Sequence, residues 1–160
     1  MATPTYELLE SVTLATAASS VTFSSIDGGY GDLVLVVDKP SGGRRVSLGF
    51  NGDTGSNYAN VSMNGNGSAT NSYSATQAYV WANLYSSGGD NASLVTFQIM
   101  DYSATDKHKS VLVRAGGAGF LVGAQAARWA NTAAITSLEV TGSTNSYPVG
   151  STFNLYGVAK

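Results

Sequence analysis

Apolar and polar residues alternate along most of this chain with a period of two, and Gly, Asn and Ser punctuate the runs. The clearest case is Gly150-Ser151-Thr152-Phe153-Asn154-Leu155-Tyr156-Gly157-Val158. Phe153 and Leu155 fall on one side of an extended chain; Thr152, Asn154 and Tyr156 fall on the other. Successive side chains of a strand point to opposite faces, so this pattern predicts a half-buried strand that ties the C-terminus into a sheet.

The same reading runs along the chain. Glu7 to Leu14 has some helical propensity, but it alternates from Glu10 onward, with Val12 and Leu14 on one side, and the segment reads as a strand. Val21-Thr22-Phe23 is a second, and Asp27-Gly28-Gly29 a turn. Asp32 to Val37 is apolar on both sides and predicts a central strand covered on both faces. Arg45 to Phe50 points Val46, Leu48 and Phe50 inward, and Asn51-Gly52 is a tight-turn signal. Tyr58 to Met63 predicts a strand with Val61 and Met63 on one face. Asn64 to Ser74, nearly all Asn, Gly, Ser and Thr, predicts a surface loop. From Gln77 to Tyr85, Ala78, Val80, Ala82 and Leu84 oppose Tyr79, Trp81 and Tyr85. Leu94 to Ile99 points Val95, Phe97 and Ile99 inward; Ser110 to Arg114 follows, then a Gly-rich break at Gly116-Gly117-Ala118-Gly119. Gln125 to Ala130 leads into Ala134 to Val140 and the closing strand.

About ten short strands without a sustained helical period predict an all-β, antiparallel β-sandwich, with the jelly roll as the default topology. Residues 1–6 read as an N-terminal arm and 7–160 as one sandwich domain. The expected core includes Phe50, Phe97, Ile99, Ile135, Leu138, Phe153 and Leu155.

Composition narrows the classes. Charged residues make up 11% of the 160, against about 25% in an average soluble domain. A net charge of −2 gives no electrostatic pull toward nucleic acid or an anionic membrane. The polar surface must be mostly Ser, Thr, Asn and Gly, which suits a protein packed against others. With no cysteine there are no disulfides, thiolate nucleophiles or cysteine-based metal sites. No run of about 18 apolar residues predicts a membrane helix, and Met1 to Glu7 lacks the features of a secretion signal. Starting at Met1 without a tag-like segment, the chain is expected to be a complete product that is not secreted.

Candidate chemistry is sparse. His108 lies in the polar stretch Asp106-Lys107-His108-Lys109, without a nucleophile elbow to serve. Asn51-Gly52-Asp53-Thr54-Gly55-Ser56-Asn57 resembles a calcium loop but holds one carboxylate where such a loop wants several, so a structural turn is expected. Gly116 to Gly119 lacks the spacing of a nucleotide-binding turn. The carboxylates are scattered, and nothing in the sequence nominates the facing pair a glycosidase requires. Tyr73, Tyr79, Trp81 and Tyr85 are the exception, since rings on one sheet face suit either packing or contact with a partner or glycan. No catalytic, cofactor-binding or metal-binding residue is assigned.

Three groups of residues together carry a resemblance. The first is Thr5-Tyr6-Glu7-Leu8-Leu9-Glu10-Ser11-Val12-Thr13-Leu14, Ala18 to Ile26 and Tyr30 to Leu35. The second is Phe50-Asn51-Gly52-Asp53-Thr54-Gly55-Ser56-Asn57-Tyr58. The third is Asp101-Tyr102 with Lys109, Ala134 to Leu138, and Gly150 to Val158. In this order they resemble a family of small tailed-phage virion structural proteins, over about Thr5 to Val158, while Asn64 to Tyr73 and Gly116 to Gln125 match nothing in it. The resemblance implies a virion location and carries over no catalytic residue. Within it, short length favours a capsid decoration (cement) protein on the outer surface of the major capsid protein shell, expected as a homotrimer. The arm Ala2, Thr3, Pro4, Thr5 and Tyr6 is the expected capsid contact. The alternative is a tail-fibre or baseplate module touching host glycan through Tyr73, Tyr79, Trp81 and Tyr85.

Overall fold

The structure, a computed structural model, describes residues 4–39, 46–82, 93–117, 122–142 and 146–160. These residues form twelve strands and no helix. The strands are β1 (Tyr6–Thr13), β2 (Ser20–Phe23), β3 (Asp32–Lys39), β4 (Val46–Phe50), β5 (Tyr58–Gly65), β6 (Thr70–Gln77), β7 (Val80–Trp81), β8 (Ser93–Met100), β9 (Lys109–Gly117), β10 (Val122–Trp129), β11 (Leu138–Gly142) and β12 (Thr152–Val158).

They build two antiparallel sheets, a β-sandwich. The large one has the order β1-β12-β3-β8-β9-β10-β5-β6, and the small one β2-β11-β4-β7. One face of each supplies the core. In register across the large sheet run Leu155, Leu35, Phe97 and Val113, all buried. From the small sheet come Phe23, Leu48, Phe50, Val80, Leu138 and Val140, equally buried. All seven expected core residues, Ile135 and Phe153 included, are buried. Each removes its apolar surface from water, at roughly 1.5–3 kcal/mol per large side chain.

Three expectations are corrected. Asn64 to Ser74 is not a loop: β5 runs through Gly65, β6 starts at Thr70, and the connection is Asn66 to Ala69. There the Asn66 side-chain oxygen accepts from the backbone N–H of Ser68 and of Ala69. β6 has no apolar alternation because neither of its faces is covered; the ladder to β5 holds it, from Tyr58 opposite Gln77 to Gly65 opposite Thr70. β3 is central, but only one face is sealed: Leu33, Leu35 and Val37 are buried, while Val34 and Val36 stay half-exposed. The N-terminal strand, expected from Glu7 to Leu14, runs from Tyr6 to Thr13. A bulge between Leu8 and Glu10 shifts its phase, and that shift mimicked a helical period. Tyr6 pairs with Val158, and the Thr5 carbonyl accepts from the Ala159 N–H, so the end of the expected arm belongs to the sheet. Ala2 and Thr3 lie outside the described residues, as does Tyr85.

Candidate functional site

The segment Phe50 to Tyr58 is the best-organised connection. Asn51 and Gly52 both have positive φ, 52° and 70°, and the Asp53 N–H donates to the Phe50 carbonyl at 2.9 Å. This is the backbone geometry that an Asn-Gly pair favours in a two-residue reversal. The Asn51 side chain then ties the turn to the stretch before β11. Its amide donates to the Ala134 carbonyl at 2.8 Å, and its oxygen accepts from the N–H groups of Thr136 and Ser137.

Asp53 does comparable work for β10. Its carboxylate accepts from the Trp129 indole Nε1–H at 2.7 Å, from the Gly55 N–H at 2.9 Å and from the Asn57 side-chain amide. Those donors, the indole first, hold its carboxyl below the usual carboxylate range. Trp129 packs edge-on to Phe50 at 5.4 Å and stacks on Tyr58 at 6.3 Å. The Tyr58 hydroxyl, pushed up to about 12 by burial, accepts from the Phe50 N–H and donates to the Asp53 carbonyl. The carboxylate that resembled a calcium ligand is thus surrounded by donors, as a structural turn requires. Among the described residues no three His, Cys, Asp or Glu side chains cluster as a metal site would.

The four aromatic candidates separate. Tyr79 stacks on Tyr58 at 6.5 Å, and a Cβ on Gly49 would meet its ring at 3.0 Å, so it belongs to the packing of this hub. Trp81 is half-buried, and its N–H lies 3.4 Å from the Asn60 side-chain oxygen. Tyr73 on β6 is exposed, its hydroxyl accepting from the Gln77 side chain. Val80 and Ala82 are buried opposite Tyr79 and Trp81, as the alternation required.

Sequence reasoning missed a polar seam between the sheets. On β5 the inward side chains are Tyr58, Asn60 and Ser62, so Val61 and Met63 point out. Gln125 donates to the Asn60 oxygen at 2.7 Å, and the Asn60 amide donates to the Tyr58 and Tyr79 carbonyls. Asn60 thereby positions the chain entering β7. At the turn end, Lys109 is buried, with Nζ donating to the carbonyls of Lys107 and Thr132. Burial holds its amine below the usual lysine range. His108 beside it is exposed.

The inversion of β5 makes the outward face of the large sheet the most unusual surface. Val61, Met63, Leu94 and Val122 are between 51 and 70% exposed, and Leu112 is 40% exposed. Val61, Ala126 and Leu112 stand side by side in register, as do Met63, Ala124 and Arg114. Around the second row lies an open concavity of about 820 Å³ lined by Met63, Leu94, Thr96, Arg114, Val122 and Ala124. Arg114 is the one charged group among its described lining residues. Scattered apolar side chains are ordinary on a protein surface, but a contiguous apolar face rimmed by polar residues marks a contact site. Compared with models of known protein families and with curated proteins, the chain matches none.

Proposed function

We propose that this chain is a bacteriophage virion structural protein, a decoration protein that binds the outer surface of the major capsid protein shell. The observation that carries the reading is the outward face of β8, β9, β10 and β5. It carries exposed Val61, Met63, Leu94, Leu112 and Val122 around Ala124 and Ala126, with Thr96, Gln98, Arg114 and Arg128 beside them, and one sandwich layer presents it as a continuous sheet. A face of this kind suits lying against a large, repeated surface more than enclosing a small molecule. The 11% charge agrees, because a charge-poor surface suits permanent packing. The strand order supports the jelly-roll part of the reading. The small sheet runs β2-β11-β4-β7 and the large sheet begins β1-β12-β3-β8, the two four-strand orders of a jelly roll, with β9-β10-β5-β6 extending the second.

The test is binding of purified chain to shells stripped of decoration. Met63→Asp and Val122→Asp each place a charge on the exposed face without touching the core, so they should abolish binding while leaving the melting temperature near wild type. Undiminished binding by both variants would contradict the assignment of this face.

A further inference from the structure

An edge strand exposes a row of unpaired N–H and C=O groups, and natural sheets blunt such edges with charge, proline, bulges or brevity. Three of the four edge strands among the described residues carry one of these devices. β1 has exposed Glu7 and Glu10 and the bulge between Leu8 and Glu10. β2 is four residues long, and β7 is two. β6 has none. It is eight residues long, Thr70-Asn71-Ser72-Tyr73-Ser74-Ala75-Thr76-Gln77, without charge or proline. Its register with β5 is unbroken from end to end, and no described strand pairs with its other side.

We infer that β6 is a self-association edge, on which β6 of a second copy of this chain pairs antiparallel across a two-fold axis normal to the sheet. Antiparallel partners that face the same side must match in parity, so the axis passes through Tyr73 or Ser74. With Ser74 on the axis, Tyr73 opposes Ala75, Ser72 opposes Thr76 and Asn71 opposes Gln77. With Tyr73 on it, Ser72 opposes Ser74, Asn71 opposes Ala75 and Thr70 opposes Thr76. Neither register sets like charges against each other, the arrangement that destabilises cross-strand pairs. The other full-length edge, β1, is a poor partner for β6, because its bulge breaks the ladder.

The two-fold normal keeps corresponding faces on the same side. It therefore sets Val61 and Met63 of both copies on one face, flanking the seam one strand in from it. The two exposed strips then lie on one face, separated at the seam by the Ser72 and Ser74 side chains of both copies. An isologous two-fold contact gives two chains, not the homotrimer expected with the resemblance. The inference stands on the edge alone and does not require a virion location.

The test is the mass of the full chain in solution by sedimentation velocity over a range of concentrations. Wild type should give two chains. Ser72 and Ser74 are exposed on β6. The double variant S72K/S74K sets lysine against lysine in either register, so it should give one chain at concentrations where wild type is fully paired. The matched variant S11K/T13K, on the β1 edge, should remain paired. A one-chain or three-chain wild type, or a paired S72K/S74K, would overturn the inference. Should the double lysine variant lose its strand signal in circular dichroism, hydrogen exchange of wild type decides. Amides of Asn71 to Gln77 should exchange more slowly as concentration rises, and concentration-independent exchange there would overturn it.

Discussion

Asp53→Ala isolates the hub that joins the Asn51-Gly52 turn to β10. The substitution removes the acceptor for the Trp129 indole, which is 1% exposed and donates at 2.7 Å. A buried donor left without a partner costs about 1–3 kcal/mol, and the lost bond was charge-assisted, which places the cost in the upper half. The bonds from Gly55 and Asn57 are exposed, so water replaces them and they add little. The expected loss is about 2–3 kcal/mol, or about 5–10 °C in melting temperature for a chain of this length. Trp129→Phe keeps most of the ring but removes the N–H. In that background Asp53→Ala should cost about 1–2 kcal/mol less, the coupling expected of groups in direct contact. The carboxyl of Asp53 is held below its ordinary value, so the folded chain binds that proton less readily than the unfolded one. Its contribution is therefore complete above the unfolded value near pH 4 and is lost as pH falls through the folded value. The gap in melting temperature between wild type and Asp53→Ala, followed by circular dichroism, should be constant near neutrality and close in acid. An unchanged melting temperature for Asp53→Ala, or equal costs in the two backgrounds, would refute the latch.

Other outcomes follow from the packing. Phe97→Ala and Phe153→Ala, both at fully buried positions, should each lose about 3–5 kcal/mol in urea unfolding; an unchanged midpoint would show that the core is misassigned. Gly157→Ala sets a Cβ 2.5 Å from the Tyr30 ring and should lose about 1–3 kcal/mol, whereas Gly116→Ala meets nothing within 4 Å and should avoid that clash. Amine acylation read by mass spectrometry should label exposed Lys107 and spare buried Lys109; equal labelling would contradict the burial of Lys109.

Much of the sandwich was legible because its central strands obey one rule. In the middle of β3, β8, β9 and β12 the inward positions, such as Leu35, Phe97, Val113 and Leu155, are aliphatic or aromatic, so period-two alternation marked both strand and face. The failures have separate physical causes. β6 buries neither face, so its Ser, Thr and Asn carried no signal and read as loop. In β1 the bulge between Leu8 and Glu10 shifts the phase, so Leu9 and Val12, three residues apart, both pack toward the core. In β5 the buried side chains include Asn60 and Ser62, satisfied by the polar seam, so the most hydrophobic residues face solvent. A rule that places apolar residues inside cannot find such a strand's outer face, and here that face is the candidate site. The Asn51-Gly52 turn was legible from its dipeptide, but the bond from Asp53 to Trp129 spans 76 residues and left no local trace.

The central claim is a place on the capsid surface, and the most direct measurement is the copy number of this chain in purified virions, relative to the major capsid protein. The account predicts a number comparable with that of the shell subunits, with the chain lost when decoration is stripped from intact shells. A handful of copies that remain with isolated tails, or none in the particle, would contradict it.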